Sequence, residues 1–166
     1  MSFVAILMGS ESDWPVMQAT ADTLGSLEIH HEVRITSAHR TPQDTAEYVA
    51  DAQQRGCAVF ICAAGMAAHL AGAVAAHTVR PVIGVPIDSG PLSGFDALLS
   101  TVQMPGGIPV ATVAVGKAGA RNAGYLAAQM LSLADPAISE RLEAEREASR
   151  ETVRSQNQRL QSELGG

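Results

Sequence analysis

The residues best suited to chemistry lie in three short segments of small and polar residues. Ser37-Ala38-His39-Arg40-Thr41-Pro42 sets an imidazole beside a guanidinium. A guanidinium presents a planar fork of donors that matches a phosphate. A histidine can take and return a proton near neutral pH. Gly9-Ser10-Glu11-Ser12-Asp13 adds two hydroxyls and the free N–H groups of a helix start, which suit an anion. The Asp13 carboxylate repels phosphate and suits ribose hydroxyls better. In Ala64-Gly65-Met66-Ala67-Ala68-His69-Leu70, small side chains let backbone approach a flat ligand. His69 falls within an alanine-rich helical pattern and reads as a hydrogen-bonded structural residue. Each segment also has a plain reading: a capped helix, a surface loop or a surface ion pair.

Other chemistries lack support. There is no GxGxxG, and Gly116-Lys117 is followed by Ala118 rather than the hydroxyl residue of a phosphate-binding P-loop. NAD and ATP are therefore not expected. A net charge of −6 and 4% aromatic residues exclude a basic nucleic-acid surface, an aromatic stacking platform and attraction to an anionic membrane. Cys57 and Cys62 do not form a CxxC pair or a zinc pattern and read as reduced core thiols. No metal and no cofactor are expected.

These segments need elements to position them. Apolar runs alternate with alanine-rich amphipathic stretches. Strands are expected at Phe3–Met8, His31–Thr36, Cys57–Ala63, Pro81–Pro86 and Val110–Val115. Helices are expected at Asp13–Leu24, Pro42–Arg55, Ala67–His77, Leu92–Val102 and Ala118–Leu133. Thr41 is the expected N-cap of the second helix, with Asp44 completing a capping box, and Ser12 or Asp13 caps the first. Continuously apolar strands between helices point to a parallel sheet covered on both faces, a three-layer α/β/α sandwich. Ligands of such sheets bind beyond the carboxyl ends of the strands, where all three segments fall.

No charged residue occurs between Arg55 and Arg80. That stretch holds a break at Ala64-Gly65 and reads as a buried strand plus a buried helix, not a membrane span. The start, Met1–Met8, lacks a basic region and reads as a strand rather than a signal peptide, which suggests a cytoplasmic protein. Residues 135–166 hold seven acids and five arginines. Asp135-Pro136 starts a helix there, with a thin stripe of Ile138, Leu142, Val153, Leu160 and Leu164. The expected organisation is an α/β domain over 1–134 and a helical extension over 135–166 that packs on a neighbouring subunit.

With the segments laid out, the chain resembles the PurE family of N5-carboxyaminoimidazole ribonucleotide mutases and aminoimidazole ribonucleotide carboxylases. The resemblance runs from Phe3 to about Leu133. It rests on MGSESDW (Met8–Trp14), SAHRTP (Ser37–Pro42), AGMAAHL (Ala64–Leu70), PVIGVP (Pro81–Pro86) and VQMPGGIPV (Val102–Val110). It implies a flavodoxin-like sandwich, a homo-octamer and an imidazole ribonucleotide substrate. It implies that Ser10, Ser12, Asp13, Ser37, Ala38 and Arg40 grip the ribose and phosphate, and that His39 is catalytic. Gly65, Met66, Ala67 and Leu70 would line the pocket around the imidazole and carbon dioxide. Arg40 and His69 side with the mutase branch, whereas carboxylases typically have AHKT and AGRSNAL. Many bacterial mutases have Gly at Met66 and Pro at Ala71. A direct carboxylase and a non-catalytic nucleotide-binding module remain alternatives.

Overall fold

The expected strands form one sheet in a computed structural model that describes residues 2–165. The strands are β1 (Phe3–Met8), β2 (His31–Ile35), β3 (Cys57–Gly65), β4 (Val82–Ile87) and β5 (Ala111–Thr112). All neighbours are parallel, in the order β2-β1-β3-β4-β5. The alternating elements give the expected parallel sheet, and its order is that of the flavodoxin-like sandwich the resemblance implies. β1 and β4 are buried at every position, because helices cover both faces. Met1 and Gly166, the outer ends of the two expected segments, lie outside the described residues.

The helices of the sandwich are α1 (Trp14–Ser26), α2 (Pro42–Gln54), α3 (Leu70–Ala75), α4 (Phe95–Val102) and α5 (Lys117–Ser132). On one face, Phe3, Ala5, Leu7, Phe60 and Cys62 form a core with Tyr48 and Val49 of α2 and Leu70 and Val74 of α3. Gly84 lets Thr101 of α4 and Ala71 of α3 approach β4 on that face. On the other face, α1 and α5 pair closely. Thr20 Oγ1 donates to the Ala120 carbonyl at 2.6 Å, and Gly124 lies against Thr23. Cys57 and Cys62 are free thiols within the core.

The structure corrects several expected boundaries and caps. The third helix begins at Leu70, not Ala67, because the chain is still turning at Met66 (φ 55°). The fourth begins at Phe95, after Ser93 and Gly94 take positive φ. β5 has only two residues, Ala111 and Thr112, paired with β4 on one side alone, although Val113 N still donates to the Gly84 carbonyl at 3.0 Å just past its end. Thr41 makes no side-chain cap bond. Its Oγ1 accepts from Ser37 N at 3.0 Å instead, so the hydroxyl closes the preceding loop. Neither Ser12 nor Asp13 caps α1 with its side chain. Ser10 caps a short 3-10 turn, Glu11–Asp13, ahead of it.

The chain forms two compact units that divide at Ala128–Gln129. The second contains α6 (Pro136–Glu163), capped by Asp135 through Ala137 N at 3.0 Å. Ile138 and Leu142 are buried, whereas Val153, Leu160 and Leu164 are exposed. Among the described residues, no helix is long and apolar enough to cross a membrane.

Candidate active site

The sheet order decides where a ligand can sit. β1 lies between β2 and β3, and the helices that follow β1 and β3 lie on opposite faces. A crevice therefore opens beyond the carboxyl end of β1. It is a cleft of about 430 Å³, walled by the loops after β1, β2 and β3 and by Ser89 after β4.

The loop after β1 is closed by its own polar groups. Ser10 N donates to Asp13 Oδ2 at 3.1 Å, and Ser10 Oγ accepts from Ser12 N at 3.3 Å. Ser12 Oγ donates to Ser10 Oγ at 3.0 Å. This reciprocal cap satisfies donors of the turn and fixes Asp13, which is only 4% exposed. Burial pushes the Asp13 carboxyl above its ordinary value, while hydrogen bonds from the Ser10 and Gly9 backbone act the other way.

The loop after β2 carries His39 and Arg40. Arg40 Nη2 donates to the Gly9 carbonyl at 2.9 Å, tying this loop to the one after β1. Arg40 N and Nε also donate to Ser37 Oγ, at 3.2 and 3.4 Å. Among the described residues, the guanidinium is thus held at the cleft without a carboxylate hydrogen-bond partner. Such a guanidinium keeps its charge available for an anion.

The loop after β3 brings His69 onto His39. His39 Nε2 and His69 Nδ1 are 2.7 Å apart, with the rings edge to face at 81°. One of the two nitrogens donates and the other accepts. Gly65 is needed at the base of this loop. A Cβ there would lie 1.7 Å from Ser89 Oγ and 3.2 Å from the Ile87 carbonyl. Met66 follows in the left-handed region and is 56% exposed.

His39 and every candidate binding residue, from Ser10 to Leu70, line this one cleft. Gly9, Ala64, His69 and Ser89 line it too, although sequence reasoning did not choose them. The Gly9 carbonyl carries no side-chain signal at all. Ser89 stands in a stretch rich in Gly and Pro, residues 86–96, whose composition fits a shaped wall or a subunit contact. His69, read as a structural hydrogen-bonded residue, has His39 itself as its partner. Among the described residues, no group of three or more His, Cys, Asp or Glu could hold a metal ion.

A family model described as AIR carboxylase matches residues 3–152. N5-carboxyaminoimidazole ribonucleotide mutase of Bacillus subtilis is 51% identical over 157 residues, covering 95% of this chain and 97% of that one. The mutase of Mycobacterium tuberculosis is 49% identical over 162 residues, covering 98% and 92%. The crystal structure of Treponema denticola PurE superposes with a TM-score of 0.87 at 29% identity, covering 96% of this chain and 99% of that chain. Match to the family model over most of the chain, half-identical relatives aligned over nearly their whole length and a shared fold place the chain in the AIR carboxylase (PurE) family.

Proposed function

We propose that the protein is an isomerase of purine biosynthesis that converts N5-carboxyaminoimidazole ribonucleotide to 4-carboxy-5-aminoimidazole ribonucleotide. The observation that carries this reading is the His39–His69 pair, 2.7 Å apart, in a cleft that also holds the Arg40 guanidinium. Relatives about half identical over most of the chain are named for that reaction.

The residues suit each step. Arg40 and the hydroxyls of Ser10, Ser12 and Ser37 bind the phosphate, and Asp13 accepts hydrogen bonds from ribose. The carbamate on the exocyclic nitrogen loses carbon dioxide as that nitrogen gains a proton. C4 then attacks the carbon dioxide, and the proton on C4 leaves. One proton goes on and one comes off, so the reaction balances with no redox partner and no ATP. His39 is the general acid and then the base, and contributes about 100-fold or more to the rate. Gly65, Met66, Ala67 and Leu70 border the imidazole and keep carbon dioxide from solvent.

The test offers the purified protein N5-carboxyaminoimidazole ribonucleotide, or aminoimidazole ribonucleotide with bicarbonate, without ATP or a partner enzyme. Efficient conversion of the first and slow turnover of the second are expected. Faster turnover of the second at modest bicarbonate would make the protein a direct carboxylase. Ligand binding with no turnover of either would make it a nucleotide-binding module.

The same reading makes the protein a cytoplasmic homo-octamer, with residues 1–134 as the catalytic domain and 135–166 as an extension packed on a neighbouring subunit. Exposed Leu92, Phe95, Leu99 and Val102 support a subunit contact.

A further inference from the structure

We propose that Ser100 of α4 is a positioning residue: its hydroxyl holds the turn that sets His69 against His39. The inference rests on the mutase reading for its kinetic test but not for its spectroscopic one.

Ser100 does not line the cleft, and no motif of the sequence singled it out. Its Oγ accepts from Ala68 N at 3.0 Å, across 32 residues of chain. The same hydroxyl donates to Asp96 O at 2.7 Å, with Ala97 O and Met66 O further away at 3.3 and 3.4 Å. One hydroxyl has one proton to give and lone pairs to receive, so the donation to α4 leaves the oxygen free for Ala68. The helix therefore aims the acceptor at the loop.

The loop needs an anchor. Met66 sits at φ 55°, a region that costs a side-chain-bearing residue energy unless its surroundings impose it. Two residues later Ala68 N is tied to Ser100, and one further His69 N donates to Ala67 O at 2.9 Å. His69 is the last residue before α3, and its ring reaches His39 Nε2. Without the Ser100 hydroxyl, Ala68 N loses its partner and Met66 is free to relax. The His69 ring then drifts from His39. The Ser10 and Arg40 contacts belong to other loops and do not change.

The experiment compares wild type, Ser100→Ala and Ser100→Thr as full-length proteins. Without substrate, ¹⁵N NMR of the imidazoles reads the His39–His69 hydrogen bond directly. In Ser100→Ala the shifts of His39 Nε2 and His69 Nδ1 should move toward those of unpaired rings, and Ser100→Thr should restore them. With substrate, Ser100→Ala should lose about 10- to 100-fold in kcat, the scale of a reacting group misplaced by about 1 Å. Its KM should stay within about twofold, and Ser100→Thr should recover most of kcat. Unchanged imidazole shifts in a folded Ser100→Ala protein overturn the proposal. So does a kcat loss that Thr does not relieve while melting temperature falls in parallel. If wild type turns over no imidazole ribonucleotide, the mutase reading fails, and the NMR comparison still decides the role of Ser100.

Discussion

His39 and Arg40 are adjacent but should fail in different ways. His39→Asn removes the acid–base group and leaves a hydrogen-bonding side chain, so turnover should fall at least ~100-fold with the fold intact. Activity within a few-fold of wild type would end the assignment. Arg40→Ala removes the guanidinium held beside Gly9, and should raise KM far more than it lowers kcat. Asp13 differs again, because its stability and binding roles oppose each other. Burial raises its folded pKa above the ordinary 3.8, so the folded state binds the proton more tightly than the unfolded one. The stability this gives is present below 3.8 and is lost as pH rises through the raised value. At pH 7 the charged carboxylate is therefore a burden on the fold. Asp13→Asn, which keeps an acceptor of the same shape, should raise the melting temperature at pH 7 and leave it unchanged near pH 3. The same substitution should raise KM about tenfold by weakening bonds from ribose hydroxyls. A lower melting temperature at pH 7 would refute the burial argument.

At the scale of elements, close approach governs what can be changed. A Cβ on Gly119 would lie 1.6 Å from the Ala114 carbonyl oxygen, a backbone atom that cannot rotate away. Gly119→Ala should destabilise by about 1–3 kcal/mol, as overpacking does, measured by urea denaturation. Much of this scaffold was legible beforehand. β1, β3 and β4 are apolar at nearly every position because helices cover both of their faces, and that leaves a plain pattern. Where burial is one-sided the pattern fades, as in β5 at the edge. The alanine run after Gly65 has no phase marker, so the turn through Met66 and the late start of α3 were invisible. Capping also misled, because Thr41 offered the right residue type but spends its hydroxyl on Ser37. The cleft was legible as a set of strand ends. The contact of His39 with His69 was not, since the two residues are 30 apart in sequence and only the β2-β1-β3 order brings their loops together.

At the scale of the whole molecule, surface chemistry argues for assembly. Phe95, Leu99 and Val102 recur at helical spacing on α4 and are exposed by 68, 55 and 46%, and Leu92 in the turn before it is exposed by 59%. Single exposed apolar residues are common, but three on one helical stripe, with a fourth in the preceding turn, mark a contact surface. The same helix buries Ala97 and Thr101 on its other side, so the stripe is not a disordered excess of apolar residues. Burying such a stripe contributes roughly 1.5–3 kcal/mol for each large side chain, enough in sum to favour association. Light scattering at micromolar concentration should therefore find a particle well above the 17.2 kDa of one chain, with an octamer as the family resemblance implies. Phe95→Glu places a charge where an apolar contact is expected, and a buried unpaired charge strongly opposes association. It should shift the protein to smaller species without changing its circular dichroism. A 17.2 kDa wild-type particle would overturn the assembly, while Phe95→Glu that keeps its full size would place the contact elsewhere on the surface.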